Sequence, residues 1–102
     1  MVTAIVMINV QRHGVAETAQ ALLRIEGVRE VYSVTGEYDL VAIVSTAVYD
    51  QLADLVTGPI QALRTITGTH TLMAFRCYSN QDMERMWDIG AEEAEESEQP
   101  AF

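Results

Sequence analysis

The stretch 31-VYSVTGEYDLVAIVS-45 contains two strand-like runs joined by a polar loop, and its reading decides the fold. The flanking runs are rich in β-branched and aromatic residues, which suit a pleated, half-buried surface. Between them Thr35, Gly36, Glu37, Tyr38 and Asp39 occupy consecutive positions. Gly36 supplies the positive φ that a tight reversal needs, and two carboxylates, a phenol and a hydroxyl crowd around it. Two readings stand side by side: an ordinary hairpin loop, or a hairpin tip that also holds a small polar molecule.

Outward from this hairpin, periodicity orders the remaining elements. Val2 to Val10 reads as a strand, ended by the polar Gln11-Arg12-His13 and Gly14. From Val15 to Ile25 the apolar residues Val15, Ala19, Leu22 and Leu23 follow the three-and-four spacing of a helix stripe, and Gly27 stops it. Val28 to Val34 and Asp39 to Ser45 are the two strands of the hairpin. A second helix starts near Val48 or Tyr49, with Leu52, Leu55 and Val56 on one face, and Gly58-Pro59 is expected to break or kink it. Thr69 to Tyr78 reads as a fourth strand. Met83, Met86 and Trp87 mark a short C-terminal helix within 79–90, and 91–102 is an acidic run expected to be disordered. Residues 1–78 therefore form the one folded domain.

The order β-α-β-β-α-β predicts an α+β, ferredoxin-like fold: a four-stranded antiparallel sheet with two helices on one face. A sheet wet on its other face should alternate apolar and polar residues. This one does not, since Leu40, Ala42 and Val44 alternate with Val41 and Ile43, and Ala4, Val6 and Ile8 with Ile5 and Met7. Two helices cover one face only. The chain is therefore expected to dimerise sheet to sheet, burying on the order of 800 Å² per subunit.

The formal net charge is −9 over 102 residues, but it is unevenly spread. Residues 79–102 carry Asp82, Glu84, Asp88, Glu92, Glu93, Glu95, Glu96 and Glu98 against Arg85 alone, whereas the first 78 residues hold seven acids and five arginines. The body is nearly neutral and has neither lysine nor a basic stripe, which argues against direct nucleic-acid binding. Cys77 is the only cysteine, so no intramolecular disulfide forms. No apolar run is long enough for a membrane span or leader, and a cytoplasmic location is expected.

The catalytic signals are sparse. His13, His70 and Tyr38 are the groups an enzyme of ferredoxin-like fold, such as a small oxygenase or isomerase, would use; no Ser-His-Asp order, phosphate loop or paired-histidine motif accompanies them. His13, His70 and Cys77 make a poor metal set, because His70 and Cys77 should face opposite sides of the fourth strand. Cys77 is read instead as a small buried hydrophobe. Neither metal nor cofactor is expected.

The pattern VxxVYSVTGEYDLVAIV, a following helix, and then Thr69 and Thr71 as a TxT before LMAF resembles the ligand-sensing (RAM) domain of the Lrp/AsnC feast/famine regulators, over roughly residues 2–77. The resemblance implies sheet-packed dimers assembled into octamer-like rings, with an amino-acid effector bound between dimers. It places Gly36, Glu37, Tyr38 and Asp39 on one wall of that site and Thr69 and Thr71 on another. The chemistry suits such a ligand: Asp39 accepts from an α-ammonium, while threonine hydroxyls and loop N–H groups donate to an α-carboxylate. Two departures are visible. Arg64-Thr65 stands where members carry Pro-Gly, which leaves the course of 55–68 open, and the sequence starts at strand one with no helix-turn-helix before it. The expectation is a stand-alone sensing module, not an enzyme, that acts on full-length regulators of the family.

Overall fold

The computed structural model describes residues 1–80, so all but the start of the expected C-terminal helix, and the whole acidic tail, lie outside the described residues. The chain forms β1 (Val2–Val10), α1 (Val15–Leu23), β2 (Val28–Ser33), β3 (Leu40–Thr46), α2 (Tyr49–Leu55) and β4 (Ile66–Ala74). All neighbouring strands are antiparallel, in the order β2-β3-β1-β4. This is the β-α-β-β-α-β arrangement expected from the sequence.

The core lies between the sheet and the helices. In β1 and β3, Ala4 faces Val44, Val6 faces Ala42 and Ile8 faces Leu40, and all six side chains are fully buried. Leu22 of α1 and Leu52 of α2 close over them, together with Val56 and Ile60. Each such Leu or Ile contributes about 1.5–3 kcal/mol relative to an exposed position. α1 lies over β2 and β3, and α2 over β3 and β1.

Gly27 ends the first crossover for a steric reason. Its φ is +105°, and a Cβ there would stand 2.9 Å from Leu55 Cδ1, so a side chain meets both strain and α2. Its carbonyl accepts the Ser45 N–H at 2.9 Å, fixing the start of β2 against the end of β3.

The Gly58-Pro59 pair does not break the second helix. After Leu55 the chain widens into a π-helical turn, Val56–Ile60, with Pro59 inside it. Proline has no N–H to donate and its ring crowds the preceding turn; the wider turn accommodates both and delivers Ile60 into the core. The segment through Arg64-Thr65 is then a series of turns, anchored where Gln11 N–H donates to the Thr65 carbonyl at 2.8 Å. Beneath it the fully buried Thr18 hydroxyl donates to the Thr65 hydroxyl.

β4 differs from the expected Thr69–Tyr78 in both bounds. It starts earlier, pairing Ile66 with Val10 past a bulge, and it ends at Ala74 opposite Thr3, where β1 is about to run out. Beyond that point no partner strand remains among the described residues; Phe75 is almost fully solvent-exposed and Cys77, expected as a buried hydrophobe, is exposed.

No helix or strand among the described residues covers the second face of the sheet. Ile5, Met7, Val41 and Ile43 are half-buried there, and Tyr32 and Leu72 are exposed beside them. No helix among the described residues is long and apolar enough to cross a membrane.

Candidate ligand-binding site

The tip residues 36–39 meet the C-terminal end of β1 and the first half of β4. Gly36 has φ +108°, and a Cβ there would meet no atom within 4 Å, so glycine serves the backbone reversal and not a close approach. Glu37 is exposed and Tyr38 half-buried.

Asp39 holds the tip to the sheet. Its N–H donates to the Ile8 carbonyl at 2.9 Å, its carbonyl accepts the Val34 N–H at 3.1 Å, and its Oδ2 accepts the Val10 N–H at 2.9 Å. The carboxylate thus continues the β1–β3 ladder one step past Leu40. One of its oxygens is already engaged before any ligand arrives.

The strand period divides the remaining candidates. Thr69 is opposite Ile8 and Thr71 opposite Val6, so both lie on the helix side of β4, where Thr69 is half-buried and Thr71 exposed. His70, opposite Met7, is on the open side, and its ring stacks on Tyr38 with centroids 6.4 Å apart and planes at 29°. This aromatic pair spans β1, which separates β3 from β4. Tyr38 and the two threonines therefore belong to opposite faces of one subunit.

A depression of about 290 Å³ opens beside Thr69, lined also by Gln61, Ile66, Thr67 and Gly68. Gln61, Thr67 and Gly68 were not singled out in the sequence; the only signal for them was their position at the segment entering β4. His13 is exposed in the loop after β1, at φ 65°, whereas His70 packs on Tyr38. Among the described residues no group of three His, Cys, Asp or Glu side chains is placed to hold a metal ion. At the outer strand, the Tyr32 hydroxyl donates to Glu30 Oε1 at 3.0 Å, and that carboxylate raises the phenol above its ordinary pKa.

The tip, the TxT of β4 and the β-α-β-β-α-β order coincide with a family model described as the Lrp/AsnC ligand binding domain, which matches residues 3–83. The chain belongs to this family. Among solved structures, the Lrp/AsnC domain resembles TTHA0845 from Thermus thermophilus, with a TM-score of 0.73 and 42% identity, over 78% of this chain and 100% of that one. It also resembles the feast or famine regulatory protein of M. tuberculosis complexed with L-methionine, with a TM-score of 0.65 and 27% identity, over 79% of this chain and 55% of that one. A curated relative, the HTH-type transcriptional regulator FL11 of Pyrococcus abyssi, is 31% identical over 75 residues, 74% of this chain. The chain spans about half the length of that relative, 49%.

Proposed function

We propose that this Lrp/AsnC domain is an effector-binding and oligomerisation module: two copies pack sheet to sheet, and an amino acid binds where such dimers meet. The observation that carries this reading is the open face, where Ile5, Met7, Val41, Ile43, Tyr32 and Leu72 form a contiguous apolar surface across all four strands. A soluble chain rarely leaves such a surface uncovered. A second copy presents the same apolar chemistry to it.

Gly36, Glu37, Tyr38, Asp39, Thr69 and Thr71 are the proposed ligand contacts. Because Tyr38 and the threonines take opposite faces, a ligand touching both kinds of wall draws them from different subunits. Glu37, with the free Asp39 oxygen, accepts from an α-ammonium; Thr69 and Thr71 donate to an α-carboxylate. The L-methionine complex of the M. tuberculosis relative supports an amino acid as the ligand class. A ligand bound between dimers stabilises the assembly that creates its site, and this linkage is the regulatory mechanism. Cytoplasmic full-length Lrp/AsnC regulators are the proposed partners.

Thermal-shift screening over the common amino acids tests the reading. A true effector at 100 times its Kd adds about 2.7 kcal/mol to the stability of the folded form, which raises the midpoint by several degrees. Absence of a shift with every amino acid, together with an unchanged molar mass, overturns it.

A further inference from the structure

Two tight turns meet at the tip end of the sheet. The first closes where the Gly14 N–H donates to the Gln11 carbonyl at 2.9 Å, with Arg12 and His13 between them. The second closes where the Ile66 N–H donates to the Leu63 carbonyl at 3.2 Å, around Arg64 and Thr65. The bond from the Gln11 N–H to the Thr65 carbonyl joins the two. Gly14 packs between them, since a Cβ there would stand 3.1 Å from the Gln11 carbonyl oxygen and 3.6 Å from Thr65 Cβ. His13 completes the first reversal at φ 65°, in the left-handed region where side chains are uncommon. Each turn thus presents one arginine at its first central position, on backbone held by hydrogen bonds.

Arg12 and Arg64 are both exposed, and no described residue forms an ion pair with either. Neither turn contains an acidic residue. Two guanidinium charges therefore stand on neighbouring turns without compensation. Arg64-Thr65 is also the pair at which the sequence departs from the Pro-Gly of the pattern it resembles, so a charge stands where that pattern has none.

The second turn leads directly into the depression beside Thr69. Ile66 closes the turn and belongs to the wall, which Gln61, Thr67, Gly68 and Thr69 complete. No wall residue carries a charge. The wall offers an amide and hydroxyls that orient a ligand, and a positive charge follows within two residues, on the long stem of Arg64. At about 290 Å³ the depression stands at the small end of ligand sites, whose range is about 300–1,000 Å³, which suits an amino acid and not a nucleotide.

We propose, resting on the effector site described above, that its ligand is an amino acid with an acidic side chain, and that Arg64 and Arg12 receive the side-chain carboxylate at the rim of this depression. The ligand's charges are then all met. Its ammonium faces the acidic tip of another subunit, its α-carboxylate the Thr69 and Thr71 hydroxyls, and its second carboxylate the guanidinium N–H groups, whose planar fork suits two carboxylate oxygens. An amide side chain of the same shape brings no charge to the arginines and offers one acceptor oxygen instead of two.

Titration calorimetry of the full chain with aspartate, glutamate, asparagine and glutamine tests this, because each acid differs from its amide in charge and hardly in shape. One of the acids should bind on the order of tenfold tighter than its amide. Replacing both exposed arginines, Arg12→Gln with Arg64→Gln, should erase that difference while the far-UV circular dichroism stays unchanged. Should the double variant not fold, the acid-to-amide comparison in the native chain decides alone. An amide or an apolar amino acid that binds as tightly as either acid overturns the proposal. So does a preference for the acid that survives loss of both arginines, and so does glutarate or inorganic phosphate binding as tightly as glutamate, which would mark a site for anions alone. In each of these cases an amino acid still binds and the effector reading stands; binding of no amino acid overturns both.

Discussion

The carboxylate of Asp39 accepts the backbone N–H of Val10 at 2.9 Å, and in doing so it replaces a ladder bond at the point where β1 and β3 separate. Asp39 is therefore structural as well as a candidate ligand contact. Asp39→Ala leaves the Val10 N–H without its partner and should cost about 1–3 kcal/mol in urea unfolding. Asp39→Asn keeps an acceptor oxygen and should fall between that variant and the native chain. Equal stability of all three would show that the bond contributes nothing in solution.

The part-buried hydrogen bond from the Thr18 hydroxyl to the Thr65 hydroxyl makes a second stability prediction. Thr18→Val strands the Thr65 hydroxyl and should destabilise by about 1–3 kcal/mol, whereas Thr18→Val with Thr65→Val removes both partners and should recover much of the loss. Chemical denaturation of the two single variants and the double variant gives the coupling. Purely additive losses would contradict it.

Gly27 joins positive φ to a close approach by Leu55. Gly27→Ala should destabilise by about 1–3 kcal/mol, combining backbone strain with displacement of Leu55. Gly36→Ala, at similar φ but in open space, meets strain alone and should lose less. A thermal midpoint for Gly27→Ala at or above that of Gly36→Ala would refute the steric part.

Tyr32 supplies the pH dependence. Glu30 accepts its phenol proton and repels the phenolate, so the folded-state pKa is raised above that of the unfolded chain. A raised pKa means that the folded form holds the proton more tightly; the contribution is fully present below the unfolded phenol pKa of about 10 and is lost as pH rises through the folded value. Ultraviolet titration should show Tyr32 ionising at higher pH in the native chain than in Glu30→Gln, which removes the carboxylate. Tyr32 is exposed to solvent in the single chain, so the effect is read in its titration and not in an unfolding energy.

The sequence made much of this fold legible. Apolar residues on both sides of β1 and β3 signalled a two-sided sheet, and Gly27 and Gly36, both at positive φ, marked the crossover and the reversal. Three features depended on tertiary register and were not legible. The end of β4 is set by where β1 begins, not by the apolar run continuing to Tyr78. Pro59 is absorbed by a wider turn, because Ile60 gains a core position that a broken helix would forfeit. The engagement of Asp39 with Val10, and the stacking of Tyr38 on His70 across β1, follow only once three strands are in register.

The open face is the proposed dimer interface, and the proposed effector site is completed where such dimers meet. Sedimentation equilibrium at micromolar concentration, with and without the amino acid that gives the largest thermal shift, tests it most directly, using the native chain beside Ile5→Lys. At least a dimer is expected for the native chain, a larger mass with effector, and a folded monomer for Ile5→Lys that no longer responds. A native chain that sediments as a monomer and stays one with effector would contradict it.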